Sequence, residues 1–490
     1  MNLSDPKYMV FLIIVFILFY TLKTGAQRRV LLLAASYFFY YELSGYYIAV
    51  LLGVTAIAYG GAIMLQRRAG QKNSGLFFTL VCAVLLTPLL LFKYLPPLLG
   101  LVHPATSSGV GIDLKSFVIP AGISFFSFAA LGYLWDVYLE VVEPERRLDR
   151  MALFLAFFPI ISAGPIERAQ GLMPQLDLDR PFKADRAIAA LRMIVLGLVM
   201  KVFIADTLSG PVDAVYASPG TYSALDQFLA SVDYAFYLYA DFAGYSLIAI
   251  GSARLLGLDV MNNFAQPFLS PTIPEFWRRW HISLSSWVRD YIFAPLRMTW
   301  RRYPQLGMIG ALLISFTILG AWHGAKWGYL FFGIIHGCYA IGSFLTLKKR
   351  DQFWKQLHFP QGILFVARVV ITFFLATLGF VVYRAGTISD ALVIYHSIFS
   401  LDFMREAAVA LRGMALHPGA PLAGSTVTDI KKCLGLFAVL LAGDIVARRN
   451  FRFTNLPGLV QATVVNLGVL IVLSCWIKGH GNAPFVYYKF

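Results

Sequence analysis

Long apolar runs, separated by short polar or basic stretches, recur along the chain. They cover 8–22, 30–41, 46–65, 76–101, 117–138, 187–208, 225–250, 307–321, 327–345, 361–382, 432–447 and 460–477. Crossing a bilayer as a helix takes about 20 apolar residues. The longer runs are therefore predicted to span a membrane, and the shorter ones to be tilted, partial or re-entrant. The stretch 151–166 is apolar but broken by Pro159, Gly164 and Pro165. It reads as a half-helix that enters and leaves on one side, which is tolerated only when buried in protein or lining a cavity. The segment 390–416 reads as an interfacial helix with a loop. The expectation is an all-α integral membrane protein with a single membrane domain over 1–490. The first run, Tyr8 to Leu22, lacks a basic lead-in and a small-residue cleavage site, and is expected to be a retained span.

Loop charges give an orientation. Lys23, Arg28 and Arg29 follow the first run, Arg67, Arg68 and Lys72 the third, and Arg146, Arg147 and Arg150 the fifth. The alternate loops, 42–45 and 102–116, hold one Lys and no Arg. The positive-inside rule then puts the N-terminus outside and the basic loops, including 251–306, in the cytoplasm. Beyond 383 the pattern weakens, because Arg405, Arg412, Lys431 and Lys432 fall on the outer side.

Composition agrees. Hydrophobic residues make up 58% and charged ones 14% of 490 residues, with mean hydropathy +0.68, where a soluble domain carries roughly 25% charged residues. The net charge of +15 lies between apolar runs and fits membrane topology better than nucleic-acid binding. Cys82, Cys338, Cys433 and Cys475 lie in or beside apolar stretches with no metal-binding spacing. They read as buried small residues, and no metal site is expected.

Two blocks carry candidate chemistry. Glu275 to Leu296 reads EFWRRWHISLSSWVRDYIFAPL, and Leu319 to Trp327 reads LGAWHGAKW. Each sets one histidine among tryptophans, and an ionisable side chain at membrane depth is a functional hypothesis by default. Imidazole titrates near neutrality and can relay a proton. At helical spacing, His281 and Ser285 would share a face. Trp277, Trp280 and Trp287 read as interface anchors, and Arg278, Arg279 and Arg289 as partners of lipid phosphates. His323 sits at a turn flanked by Gly320, Gly324 and Gly328, which permit a tight backbone. Asp136, Asp241 and His336, set in apolar runs, read as buried hydrogen-bonded groups that fix packing. No GxSxG elbow, Walker loop, HExxH helix or GxGxxG turn occurs. Without a marked nucleophile, an already activated donor is the expectation. No internal repeat is visible, which counts against a secondary transporter.

These blocks, with IPAGISFFSFAALGYLWDVY (119–138), FFPIISAGPIERAQGLMPQL (157–176), YADFAGYSLIAIGSARLLGL (239–258), NNFAQPFLSP (262–271) and the terminal PFVYYKF, resemble the membrane-bound O-acyltransferase family, in its bacterial alginate and exopolysaccharide O-acetylation branch. The resemblance implies N-terminal spans over 1–118, a catalytic core over 119–345, and C-terminal spans with an interfacial segment over 346–490. It implies a multi-span ring of transmembrane helices with re-entrant segments around a central catalytic tunnel. His323 would be catalytic and His281 its partner. No cofactor would be permanently bound. The donor would be acetyl-CoA or another acyl thioester, held by Arg278, Arg279, Arg289, Trp280, Ser285, Asp241 and Trp322. The acceptor would be an exopolysaccharide hydroxyl, reached through a periplasmic partner protein and the synthesis and export machinery in the bacterial inner membrane. One departure stands out: APLRMTWRR, with Arg297 and Met298, replaces the branch's Pro-Leu-Gly-Gly turn, so the acceptor polymer could differ from alginate. Rival readings are D-alanyl transfer to teichoic acid, a non-catalytic transporter or export subunit, and a scaffold.

Overall fold

The computed structural model describes residues 1–102, 118–356, 360–416 and 457–479. The expected span 432–447, Cys433 and the terminal PFVYYKF lie outside them. Every regular element among the described residues is a helix, and seven helical stretches are long and apolar enough to cross a membrane. They are Gly25–Arg67, Ser74–Lys93, Ala184–Ala217, Pro304–His323, Trp327–Arg350, Gln361–Arg384 and Gly458–Ile477. The runs at 8–22 and 117–138 form shorter helices, Pro6–Thr21 and Ile123–Tyr138. The run at 225–250 becomes the 32-residue helix Ala224–Leu255. It is not among the seven, and its Asp226, Asp233 and Asp241 are all buried. The segment 390–416 forms two helices, Ile388–Ile398 and Leu401–Leu416.

The chain divides into two compact units. One comprises Met1–Leu198 and Tyr245–Asn262. Its second helix, Gly25–Ser44, begins in a capping box in which Thr24 and Gln27 satisfy each other's backbone amides. The basic pair that follows the first span is not a solvated loop. Arg28 donates to the carbonyls of Leu178 (3.0 Å) and Arg180 (2.6 Å). Arg29 pairs with Asp149 at 2.6 Å and donates to the Leu176 carbonyl. Both arginines are buried and hold the 176–180 turn in place. Such a guanidinium is retained where its fork meets several acceptors at once. The apolar stretch 151–166 is helical only through Ala156 and turns over 157–164, as its two prolines and glycine imply. Gly122 receives those turns: its φ is 72°, and a Cβ there would stand 2.0 Å from the Ile161 carbonyl oxygen. Asp136 accepts a hydrogen bond from Gln170 at 3.3 Å, the packing role expected of it.

The other unit comprises Val199–Gly244 and the described residues of Asn263–Val486. Its centre is the helical hairpin Pro304–His323 and Trp327–Gln356. Two glycines face each other across it. A Cβ on Gly320 would meet the Tyr329 carbonyl oxygen at 2.3 Å, and one on Gly333 the Phe316 carbonyl oxygen at 2.3 Å. Gly328 is equally confined: a Cβ there would stand 2.4 Å from the Val382 carbonyl oxygen. Gly320 and Gly328 therefore serve helix contact, and Gly324, with φ 157°, serves the turn. Small residues let helix backbones approach closely in membranes. Gly333→Ala should push the two helices apart and cost about 1–3 kcal/mol, as overpacking does. The expected result is a lower Tm in detergent; an unchanged Tm would contradict the close packing.

Candidate active site

His281 and His323 lie 42 residues apart in sequence and meet in one aromatic cluster. Trp322 joins them: its ring centroid is 5.7 Å from that of His281 and 5.0 Å from that of His323. All three side chains are buried, with exposures of 1%, 4% and 5% for His281, His323 and Trp322.

His281 is not on a helix face, as the spacing to Ser285 suggested. The helix Ile273–Arg279 stops at Trp280, and His281 takes a left-handed conformation (φ 43°, ψ 56°) before Ile282–Val288 begins. Histidine is among the few non-glycine residues that visit this region. Asn263 fixes the turn. Its carbonyl accepts the Ile282 amide at 2.9 Å, and its side-chain oxygen accepts the Ser283 hydroxyl at 2.6 Å. Ser285 is committed elsewhere, donating from its hydroxyl to the Trp280 carbonyl at 3.0 Å. The His281 ring stands edge-on to Phe242 at 4.6 Å.

His323 ends the helix Pro304–His323. Its Nδ1 lies 3.2 Å from the Tyr383 hydroxyl, and the two rings are nearly perpendicular, 5.1 Å apart. Phe332 and Tyr329 close the other sides. The segment just beyond is tied to the end of Gln361–Arg384: Lys326 Nζ donates to the Ala385 carbonyl, and Arg384 pairs with Asp213.

The three tryptophans of the first block are core residues rather than interface anchors. Trp277, Trp280 and Trp287 are 6%, 2% and 3% exposed. Trp280 packs among Phe264, Phe276 and Phe380. Trp277 donates its indole N–H to His336 Nδ1 at 3.2 Å, so His336 is a hydrogen-bonded packing residue. Large aromatic area draws these rings inward more strongly than one polar N–H holds them at an interface.

The arginines separate. Arg278 is exposed and makes no ion pair among the described residues, Arg279 pairs with Glu275 at 2.6 Å, and Arg289 pairs with its neighbour Asp290 at 2.7 Å. Asp241 is engaged by Lys201, whose Nζ lies 2.7 Å from it and 3.0 Å from Asp206. Where a Gly-Gly turn was the branch's pattern, the chain stays helical over Ala294–Thr299. Among the described residues no three His, Cys, Asp or Glu side chains group as metal ligands. Sequence reasoning missed Asn263, Lys201 and Tyr383. Lys201, a charge inside an apolar run, carried a readable signal; a tyrosine near a helix end and an asparagine in a loop did not.

His323 ends a helix long and apolar enough to cross a membrane, and His281 comes to it from a turn between two short helices. The family model for the membrane-bound O-acyltransferase family matches residues 148–384, a stretch that holds both histidines. The probable alginate O-acetylase AlgI of Azotobacter vinelandii is 32% identical over 410 residues, 79% of this chain and 79% of that protein. The chain therefore belongs to the membrane-bound O-acyltransferase family. It is a multi-pass membrane O-acyltransferase similar to alginate O-acetylases. The probable alginate O-acetylase AlgI of Pseudomonas aeruginosa PAO1 is 34% identical over 366 residues, 72% of this chain and 66% of that protein. The teichoic acid D-alanyltransferase of Bacillus subtilis strain 168 is 29% identical over 321 residues, 64% of this chain and 79% of that protein.

Proposed function

We propose that this protein moves an acetyl group from a cytoplasmic thioester, acetyl-CoA, across the bacterial inner membrane toward hydroxyls of an exopolysaccharide such as alginate or acetylated cellulose, by way of a periplasmic partner protein. The observation that carries the reading is the meeting of His281 and His323 across the single indole of Trp322, in a chain that resembles alginate O-acetylases more than D-alanyltransferases. The hydroxyl oxygen attacks the thioester carbonyl while the His323 imidazole takes its proton. The tetrahedral intermediate then collapses with loss of the thiolate, which receives that proton. His281 orients the reacting carbonyl from the other side of Trp322. The N-terminus lies outside, the donor enters past the basic 251–306 segment, and a periplasmic partner protein with the polymer synthesis and export machinery receives the acetyl group.

The test uses membrane vesicles from a producing strain lacking the chromosomal gene, supplied with radiolabelled acetyl-CoA. Label should enter polysaccharide as alkali-labile ester only when the protein is present. Transfer from an acyl carrier protein with no transfer from acetyl-CoA would reject the donor assignment. Arg278 is the exposed, uncommitted cation of the first block, and guanidinium groups suit phosphate. Arg278→Ala should raise the KM for acetyl-CoA several-fold and leave kcat nearly unchanged. A fall confined to kcat would remove it from donor binding.

A further inference from the structure

We infer that Tyr383 is the positioning residue for His323: its hydroxyl oxygen accepts a hydrogen bond from Nδ1–H and so leaves Nε2 as the nitrogen that takes the acceptor's proton. The inference rests on the reading of His323 as general base. A histidine base works well when a second group fixes its ring and tautomer, because only one nitrogen carries the proton in the neutral form. Tyr383 has the geometry for this task. Its hydroxyl lies 3.2 Å from Nδ1, and the residue is 2% exposed.

The surroundings hold that hydroxyl still. The Tyr383 ring packs against Tyr329 at 4.8 Å and Phe332 at 5.1 Å. The two helix ends that carry His323 and Tyr383 are fastened to each other by the Lys326 bond to the Ala385 carbonyl. The backbones also pass close to each other there, since a Cβ on Gly328 would stand 2.4 Å from the Val382 carbonyl oxygen. A tight, fastened junction is unnecessary for a side chain that only fills space. It suits a hydrogen bond whose direction matters.

The role persists through the reaction. While His323 is neutral, Nδ1–H donates to the phenolic oxygen. When Nε2 takes the hydroxyl proton, Nδ1–H stays in place and its bond strengthens, because hydrogen bonds from charged donors are stronger than neutral ones. When the thiolate leaves, Nε2 returns that proton to sulfur and the starting tautomer is restored. No proton leaves Nδ1 at any step. The tyrosine thus does for this imidazole what a carboxylate does in a Ser-His-Asp triad, without placing another ionised group in the aromatic cluster.

Tyr383→Phe keeps the ring and removes the acceptor. In the vesicle assay, its kcat should fall about tenfold, the scale of one hydrogen bond to a developing charge. The KM for acetyl-CoA should stay within about twofold, and the Tm of the purified protein should not move. A kcat equal to wild type, with His323→Gln inactive, overturns the positioning role and leaves the base intact. A kcat loss that tracks a lowered Tm also overturns it. Full activity of His323→Gln removes the base reading on which the inference stands. An independent readout needs no Tyr383 variant. In wild-type protein labelled with 15N-histidine, the resonances missing from His323→Gln should report a protonated Nδ1 and an unprotonated Nε2. The opposite tautomer overturns the inference.

Discussion

Replacing His323 by glutamine should lower acetyl transfer at least 100-fold while the protein still inserts and folds. The size follows from the role proposed for it: a positioned general base contributes about 10²–10⁴-fold. Glutamine approximates the reach of the imidazole but cannot accept and return a proton near neutral pH. The variant separates chemistry from structure because the rest of the site does not depend on the imidazole charge. Trp322, Phe332 and Tyr329 pack around it through ring contacts, and the adjoining turn is held by Lys326 and Gly324. O-acetyl content of exopolysaccharide, measured by NMR in a deletion strain complemented with wild type or variant at matched expression, reads the result. Equal acetylation by both would make His323 a packing residue and end the catalytic assignment. Loss in both, with the wild type present at normal levels, would move the acceptor away from the exopolysaccharide.

The second large effect concerns stability. Lys201→Met should prevent most of the protein from accumulating in folded form. Lys201 and Asp241 are wholly buried, and the Lys201 ammonium lies 2.7 Å from Asp241 and 3.0 Å from Asp206. Removing the ammonium takes from two carboxylates the cation that faces both. Breaking a buried pair in this one-sided way costs about 3–5 kcal/mol, against a total stability of about 5–15 kcal/mol for an ordinary domain. Methionine matches the volume and the apolar stem, so the loss isolates charge. Adding Asp241→Asn to Lys201→Met should recover part of it, since one of the two carboxylates that faced the ammonium is then gone. Detergent extraction followed by size-exclusion chromatography with a thermal challenge measures both variants. A Lys201→Met protein as stable as wild type would show that the triad contributes little. The arrangement also sits in a π-helical stretch, Val199–Ala205, a local widening that is rare and usually has a cause. Here the wider turn places one lysine between carboxylates of two different helices, Asp206–Ala217 and Ala224–Leu255.

Hydropathy made the membrane class and most long helices legible. Length and apolarity are local properties, and nothing in tertiary structure overrides them in Pro304–His323 or Gln361–Arg384. The two histidines were legible too, because a titratable group among tryptophans is conspicuous in an apolar chain. Their proximity was less so, since it depends on a break in helical structure at Trp280 and His281 that periodicity does not mark. Sequence reasoning went astray where a residue has two plausible environments. Trp277, Trp280 and Trp287 suit an interface or a core, and only the surrounding aromatic rings decide for the core. Arg28 and Arg29 look like loop cations until the carbonyls of 176–180 arrive from about 150 residues away. The positive-inside rule counts such arginines without knowing that their charge is already spoken for.

The left-handed backbone at residue 281 sets the chemical alphabet available there. Branching at Cβ makes that conformation strained, so valine, isoleucine and threonine are disfavoured by shape before any question of chemistry arises. Asparagine and aspartate enter the region readily and keep a polar head on a short stem. A change among His, Asn and Asp would thus rewrite the donor and acceptor pattern beside Trp322 and leave the turn as it is. The proposed partner of His323 thus stands on a pivot where function can drift while the architecture stays fixed.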